Sequence, residues 1–176
     1  MLPSLSTPRL VLRPACSRDV GAFHALLQLP AVRRYLCDDR ILPLQTVAEL
    51  LTRAESVAQD GLGLWCIARA GRFIGLIGLQ PVSETIASCA PDLAGQVEPT
   101  VALDPAIWGQ GLASEALAAV VRHGFGTGLT AIAAVADVPN RASQAMLRRA
   151  GFRSTGEYQG PVHPFYSYSL ANPDRP

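Results

Sequence analysis

The sequence contains no lysine, so all 15 of its basic residues are arginine. This absence excludes any chemistry that needs a Schiff-base lysine or the lysine of a P-loop. Charged residues make up only 16% of the chain, and the formal net charge is +1. That balance lacks the basic excess of proteins that bind nucleic acids or membrane surfaces, and we expect neither partner.

Metal-binding and membrane-spanning patterns are also missing. The four cysteines lie at least 21 residues apart and the three histidines are scattered, so we predict no metal site. The longest apolar stretches, such as 62–68 and 129–136, are far shorter than the roughly 18 residues of a membrane span. The first ten residues have neither a basic start nor an apolar core, so we expect no signal peptide and a cytoplasmic location.

The sequence does contain a regular alternation of strand and helix signals. Hydrophobic residues form 49% of the 176 residues, which is enough for a buried core. The apolar spacing predicts an α/β or α+β fold in one domain spanning residues 1–176. Residues 80–95, which contain prolines and a glycine, are expected to form a loop. Strands are predicted at 8–13, 64–70, 72–79, 96–103, 130–136, 152–159 and 165–170, and helices around 23–27 and at 44–59, 113–125 and 140–150.

One segment, residues 101–116, points to chemistry. It has the pattern of a strand, a short loop, a glycine turn and a helix, and Gly109 and Gly111 leave backbone N–H groups uncovered where the helix begins. Those N–H groups have no partner inside the helix, and the helix dipole adds positive potential, so the pattern indicates a phosphate or diphosphate site. Two alternatives stay open. One is a tight turn without a ligand; the other is a dinucleotide fingerprint, although residues 104–108 separate the glycines from the strand and Ser114 takes the third glycine's place.

The order of several motifs resembles the GNAT superfamily of N-acetyltransferases. Its acyl-CoA motif, Arg/Gln-x-x-Gly-x-Gly/Ala, is matched with Trp108 in the first place, Gly111 in the middle and Ala113 in the last. Tryptophan in the first place is similar to the RimJ/RimL-like branch, which acetylates N-terminal amines of ribosomal proteins. Three further features resemble that branch: the opening Thr7-Pro-Arg-Leu-Val-Leu-Arg13, Asn140-x-x-Ser143 followed by Ala150-Gly151-Phe152, and an acidic residue at Glu98.

This resemblance implies a fold and a cofactor. The expected GNAT fold has a mixed central sheet of about six to seven strands, about four flanking helices, and a splay between the strands at 96–103 and 130–136. The pantetheine arm of acetyl-CoA is expected in that splay, paired with backbone groups of Val101 and Leu103. Pro99 suits a strand edge because proline cannot donate to a ladder. The N–H groups expected to hold the CoA diphosphate, beside Trp108, belong to Gly109, Gln110, Gly111, Leu112, Ala113 and Ser114.

The resemblance also implies catalytic roles. Attack of a neutral amine on a thioester needs a proton acceptor, and Glu98, a lone acid in an apolar strand, is the candidate base with a pKa raised by desolvation. An exposed glutamate at the strand edge is the alternative. Many superfamily members have a tyrosine seven residues after the position of Asn140, but Leu147 stands there, so Ser143 is the candidate proton donor and a bound water the alternative. Asn140 is expected either beside the pantetheine or as a helix cap.

The acceptor side is expected at 29–42, the link of the first two helices, and at 159–165, the turn between the last strands. Candidate acceptor residues are Tyr35, Trp65, His163 and Tyr166, with Asp38 and Asp39 as groups that attract an ammonium. The predicted function is direct transfer of acetyl from acetyl-CoA to a primary amine, on a protein N-terminus or a small molecule. A CoA-binding module without catalysis and a different phosphate-ligand enzyme on the same turn are the alternatives. We expect a monomer or a homodimer.

Overall fold

Two antiparallel sheets form the framework of the protein. The computed structural model describes residues 2–175, which form eight strands and six α-helices. The strands are β1 Leu5–Ser6, β2 Val11–Pro14, β3 Gly63–Arg69, β4 Arg72–Pro81, β5 Val97–Leu103, β6 Ala131–Asp137, β7 Arg153–Gln159 and β8 Pro164–Ala171. The helices are α1 Val20–Gln28, α2 Pro30–Leu36, α3 Leu44–Ser56, α4 Glu84–Cys89, α5 Leu112–Gly126 and α6 Arg141–Arg149. None of the helices in this range combines the length and the hydropathy of a membrane span.

The strands predicted at 64–70 and 72–79 are present as β3 and β4, and they form a hairpin. Its turn is Ala70-Gly71, and both residues have positive φ, 48° and 76°, the geometry of two-residue turns that match the strand twist. β4 then pairs with β5 without a register shift, from Gly75 opposite Leu103 to Pro81 opposite Val97. This regular register fixes the direction in which each residue of β5 points.

Alternation along β3 directs successive side chains into two separate cores. Leu64 and Cys66 pack with α1, α2 and α3, whereas Trp65 and Ile67 pack with α5. Both faces of the first sheet are therefore covered, which explains why β3 is apolar along nearly its whole length. The second sheet is covered by α6 on one face and by α4 on the other.

A gap separates the two sheets. The first sheet has the strand order β1-β2-β3-β4-β5 and the second the order β6-β8-β7, and each pairing is antiparallel. β5 and β6 lie side by side, but no hydrogen-bonded ladder joins them in the part of the chain that the structure describes. The predicted splay is present, and it divides the expected single sheet of six to seven strands into sheets of five and three. The α/β fold class is confirmed.

Two short helices lie outside the sequence prediction, so the expected number of about four helices is too low. α2 begins at Pro30, and proline suits a first helical position because its missing N–H would have no partner there. α4 lies within 80–95, the expected loop, and Ser83 caps it by accepting a hydrogen bond from the Ile86 N–H at 3.2 Å. Helices of six and seven residues are too short to show the repeated apolar spacing on which the prediction depends.

Gly75 lies where β4 has no room for a side chain. A β-carbon added there would stand 2.2 Å from the carbonyl oxygen of Ala102 on β5. Because that neighbour is backbone, it cannot move without separating the strands, and we expect Gly75→Ala to lower the free energy of unfolding by about 1–3 kcal/mol. Gly21→Ala on α1 is the control, since its added β-carbon meets nothing within 4 Å, and it should be neutral or slightly stabilising. Urea denaturation measures both, and equal stabilities would contradict the close approach of β4 and β5.

Candidate functional site

The chain passes from β5 to α5 through residues 104–111, which we call the glycine turn. The carboxylate of Asp104 opens the turn by accepting a hydrogen bond from the Ala106 N–H at 2.9 Å. Gly109 and Gly111 have left-handed φ values of 77° and 74°, which a residue with a β-carbon adopts only at a cost. The backbone course of the turn therefore depends on these two glycines.

Helix α5 begins with uncovered N–H groups. Gly111 is its N-cap and has no side chain that could accept a hydrogen bond, so the first-turn N–H groups have no acceptor within the helix. A β-carbon added at Gly109 would meet nothing within 4 Å, so the space beside the turn is open. Open space, uncovered N–H groups and the positive end of a 15-residue helix together form the elements of an anion site. The predicted diphosphate positions 112–114 are this first helical turn.

Trp108 and Gln110 are both held by contacts of their own. The Trp108 indole N–H donates to the Leu103 carbonyl at 2.9 Å, while about half of the side chain stays exposed. The Gln110 side-chain oxygen accepts a hydrogen bond from Arg69 at 2.8 Å, and its main-chain carbonyl accepts one from Arg9 at 2.9 Å. Two arginines that are distant in sequence, Arg9 between β1 and β2 and Arg69 at the end of β3, therefore hold the turn from outside.

The edge of β5 that faces β6 carries the backbone groups predicted to pair with pantetheine. The Asp104 N–H donates to the carbonyl of Ile74 at 2.9 Å, so the Leu103 carbonyl of the same peptide unit points away from β4. A strand residue turns its N–H and C=O to the same edge, and residues two apart share that edge. Val101 and Leu103 therefore present their backbone groups to the gap. Pro99 lies on this same edge. The ladder between β5 and β4 therefore loses no hydrogen bond through the absence of an N–H at Pro99.

Glu98 faces the side of the sheet opposite to α5. Along β5, Val101 and Leu103 pack with the α5 core, whereas Ala102 packs with the core of α1–α3. Glu98 lies four residues before Ala102, and strand residues an even number of positions apart point to the same face, so Glu98 faces α1–α3. It is partly buried, and this burial raises the pKa of Glu98 to about 7, while a hydrogen bond from the Ser83 backbone acts in the opposite direction. The alternative of an exposed edge glutamate is wrong.

The start of α6 carries the other predicted catalytic group. Asn140 accepts a hydrogen bond from the Ser143 N–H at 3.2 Å, so it is a helix cap. Ser143 lies in the first turn of α6 and is partly exposed. Leu147 is 2% exposed and packs with Phe152 in the core. The side chain at the usual tyrosine position is therefore a core residue.

Two of the predicted acceptor segments meet beside β6. The rings of Tyr35 on α2 and His163 in the turn before β8 have centroids 6.1 Å apart. Asp137 ends β6 nearby, and burial raises its pKa; the charge of His163 lowers that pKa and the charge of Asp38 raises it. These four side chains therefore lie close enough to influence one another.

Other acceptor candidates are engaged elsewhere. Trp65 is fully buried, and its indole N–H donates to a main-chain carbonyl near the N-terminus at 2.8 Å. Tyr166 packs against the core of α5 and α6. Asp39 forms an ion pair with Arg33 at 2.9 Å. Trp65 is thus a core residue and is wrong as an acceptor contact.

Sequence patterns missed three groups at this site: Arg9, Arg69 and Asp137. Arg9 belongs to the opening motif 7–13, which predicts a strand and gives no sign of a contact with a turn about 100 residues later. Arg69 ends β3 and Asp137 ends β6, and strand-end residues carry no periodic signal. Only the fold brings these groups to the site.

A known family matches most of this chain. The family model for the acetyltransferase (GNAT) domain matches residues 9–153. The chain therefore belongs to the GNAT acetyltransferase family, and it is an acetyltransferase by class. The family predicted from the sequence is confirmed.

Individual relatives agree with this assignment. The uncharacterized N-acetyltransferase YoaA of Bacillus subtilis (strain 168) is 29% identical over 160 residues, which are 89% of this chain and 86% of YoaA. The acetyltransferase of Agrobacterium tumefaciens has a TM-score of 0.80 at 21% identity, covering 98% of this chain and 96% of its own. RimL, a ribosomal-protein alpha-N-acetyltransferase solved with coenzyme A, has a TM-score of 0.77 at 22% identity, covering 96% and 98%. These two structures share the fold of this chain.

Replacing Glu98 by glutamine should stabilise the protein in a pH-dependent way. The pKa of Glu98 is raised from 4.5 to about 7, so folding favours its neutral form. Below pH 4.5 the folded and unfolded states both hold the proton, so the variant and the wild type should match. The cost of ionising Glu98 grows between about pH 4.5 and 7 and is complete above pH 7. After allowance for residual solvent access, we expect Glu98→Gln to be more stable than wild type by about 2 kcal/mol at pH 8.

Urea denaturation at pH 5 and pH 8 measures this difference. Glu157→Gln, at an exposed position of β7, is the control and should leave stability unchanged at both pH values. A Glu98→Gln variant with the same stability difference at pH 5 and pH 8 would contradict the burial of this carboxyl.

Proposed function

We propose that this chain is a single-domain N-acetyltransferase, residues 1–176, that transfers acetyl from acetyl-CoA to a primary amine on a protein N-terminus or a small molecule. The observation that carries the proposal is the open edge of β5, which leads directly into the glycine turn. An extended ligand arm can pair with such an edge as an added strand does, with an anionic end on the α5 N-terminus. Coenzyme A, with its amide-bearing pantetheine arm and diphosphate, has that shape, and RimL was solved with it.

The residues proposed to bind acetyl-CoA form one continuous surface. Val101 and Leu103 offer edge groups to the pantetheine arm, and Asn140 lies at the other wall of the gap, where β6 gives way to α6. Trp108 holds the Leu103 carbonyl and so shapes this edge. The N–H groups proposed for the diphosphate are those of Gly109, Gln110, Gly111, Leu112, Ala113 and Ser114.

The proposed chemistry is direct transfer. The acceptor nitrogen bonds to the acetyl carbon of the bound thioester while the carbon–sulfur bond breaks. Glu98 accepts the amine proton, and a carboxyl with a pKa of about 7 is ionised in a useful fraction at neutral pH. Ser143 donates a proton to the leaving sulfur and regains one from water, because Leu147, at the usual tyrosine position, has no hydroxyl that could do so.

The acceptor is proposed to enter from the α1–α3 side of the sheet. Glu98 faces that side, and Tyr35 of α2 meets His163 beside the end of β6, where Asp137 lies. The carboxyl group of Asp137 favours a positively charged acceptor over an anionic one, whereas Asp38 is paired with Arg40 at 3.5 Å. An ammonium that reaches Glu98 can lose its proton there before attack.

Turnover assays test this function. The protein is incubated with acetyl-CoA and a panel of N-terminal peptides and small amines, and amine-dependent release of the CoA thiol is measured. Release with any member of the panel supports the enzyme, and the active member identifies the acceptor class. If CoA binds tightly but no acceptor in the panel causes release of the CoA thiol, the result would favour a catalytically inactive CoA-binding module. Leu147, at the usual tyrosine position, motivates that alternative.

Gly111→Val should abolish most of the CoA affinity. The substitution puts a branched side chain at a left-handed φ of 74° at the N-cap of α5, where an added β-carbon lies 3.7 Å from Arg9 Nη2, and we expect CoA affinity to fall at least about tenfold. Gly95→Val is the matched control, because Gly95 has a φ of 76° with nothing within 4 Å of an added β-carbon. It carries the same backbone strain away from the turn and should retain wild-type affinity. Isothermal titration with CoA measures both variants. If Gly111→Val bound CoA as tightly as Gly95→Val, the glycine turn would not be the diphosphate site.

Glu98→Gln should lower turnover without weakening CoA binding. Glutamine keeps the shape of the side chain but cannot accept a proton, so we expect kcat to fall at least about tenfold at pH 7. Raising the pH should restore part of the rate, since more of the amine is then already neutral. Steady-state kinetics across pH 6–9 measure the effect; wild-type kcat and KM throughout would exclude Glu98 as the base, and a change confined to KM would make it an orienting group.

A further inference from the structure

An arginine near the N-terminus joins the first turn of α5 to the glycine turn. The Glu115 carboxylate accepts hydrogen bonds from the Thr7 hydroxyl at 2.5 Å, from the Arg9 main-chain N–H at 2.9 Å and from Arg9 Nε at 2.6 Å. The same guanidinium donates through Nη1 to the main-chain carbonyl of Gln110 at 2.9 Å. We call Thr7, Arg9 and Glu115 the N-terminal latch. The latch spans more than 100 residues of sequence.

The contact with Gln110 fixes the direction of one peptide unit. The peptide between Gln110 and Gly111 is trans, so its C=O and N–H point in opposite directions. A Gln110 carbonyl turned toward Arg9 therefore sends the Gly111 N–H to the other side of the turn. Because glycine adopts both signs of φ readily, this peptide has little intrinsic preference of its own. The hydrogen bond from Arg9 therefore holds this peptide in the orientation that presents the Gly111 N–H on the opposite side.

The latch also neutralises a charge beside the anion site. Glu115 is the acidic residue in the first turn of α5. Burial acts to raise the pKa of Glu115, but hydrogen bonds from Thr7 and Arg9 lower it more, so the carboxylate is ionised at neutral pH. An unpaired carboxylate there would repel a phosphate. The Arg9 guanidinium, at 2.6 Å from Glu115, removes that repulsion.

We propose that Arg9 is the positioning residue of the glycine turn, presenting the Gly111 N–H to the diphosphate of CoA and cancelling the charge of Glu115. This inference rests on the proposed function. Arg9 bonds the carbonyl side of this peptide, so it acts on the Gly111 N–H through the backbone. Arg69 cannot replace it, because Arg69 binds the Gln110 side chain and leaves the peptide free.

The test is CoA titration of four proteins: wild type, Arg9→Met, Glu115→Gln and the double variant. Arg9→Met loses the peptide contact and leaves Glu115 unpaired, so CoA should bind at least about tenfold more weakly. Glu115→Gln removes the negative charge, keeps one of the two acceptor oxygens and leaves the Arg9 contact with the Gln110 carbonyl in place, so its affinity should stay within about threefold of wild type. The double variant should bind more tightly than Arg9→Met, because the repulsion is gone.

Arg13→Met is the matched control. Arg13 lies on the neighbouring strand with similar exposure, 48% against 43%, and it pairs with Asp19. Its loss should lower the melting temperature without changing CoA affinity. If Arg9→Met does not fold, Arg9→Lys is used in its place. Lysine keeps the positive charge but cannot bond Glu115 and Gln110 at once through a planar guanidinium. The CoA affinity of Arg9→Lys should therefore be lower than that of wild type without being lost completely.

The outcomes separate this inference from the proposed function. A wild type that binds no CoA contradicts the function itself. A wild type that binds CoA and an Arg9→Met variant of equal affinity overturn the role of Arg9 alone. Equal losses in Arg9→Met and Glu115→Gln would also overturn it, because they would assign the effect to docking of the N-terminal segment and not to Arg9.

Discussion

The unpaired edge of β5 is the constraint on which the rest of this structure depends. Backbone N–H and C=O groups inside a protein need partners, and β6 lies alongside β5 without supplying them. Part of this edge needs no outside partner, because Pro99 has no N–H and the Leu103 carbonyl accepts a hydrogen bond from the Trp108 indole N–H. The groups that remain, at Val101 and Leu103, suit an extended ligand with amides of its own. The glycine turn then begins one residue after the strand ends, at the position where such a ligand would carry its charge.

The regular register of β5 places the groups proposed for cofactor binding and for proton transfer on two different sides of the sheet. Edge groups lie in the plane of the sheet, whereas the Glu98 side chain stands out of that plane toward α1–α3. The anion site is on the α5 side. A thioester held in the gap is therefore open to an acceptor from the opposite face, where Tyr35 and His163 approach each other. One strand without a bulge is sufficient for this arrangement.

The sequence predicts those parts of the molecule that depend on local spacing. The amphipathic spacing of α5, the hairpin at Ala70-Gly71 and the glycine turn are read directly from the chain, because each depends on residues a few positions apart. The raised pKa of Glu98 also follows from a lone acid in an apolar strand. The short helices α2 and α4 cannot be predicted in this way, because six or seven residues are too few to show a periodic apolar spacing. The N-terminal latch cannot be predicted from the sequence either, because a hydrogen bond between residues more than 100 positions apart leaves no local pattern.

The absence of lysine has a structural consequence at the latch. A guanidinium presents several N–H groups in one plane, so Arg9 bonds Glu115 through Nε and Gln110 through Nη1 at the same time. An ammonium at the end of a flexible stem is a point charge and has no such fixed fork. Arg69 donates one hydrogen bond, from Nη1 to the side-chain oxygen of Gln110. The turn has no cationic side chain of its own, and its contacts with cations come from Arg9, between β1 and β2, and from Arg69, at the end of β3. The proposed anion site therefore depends on the folded chain: residues 104–111 provide the glycines, and Arg9 holds the peptide that carries the Gly111 N–H.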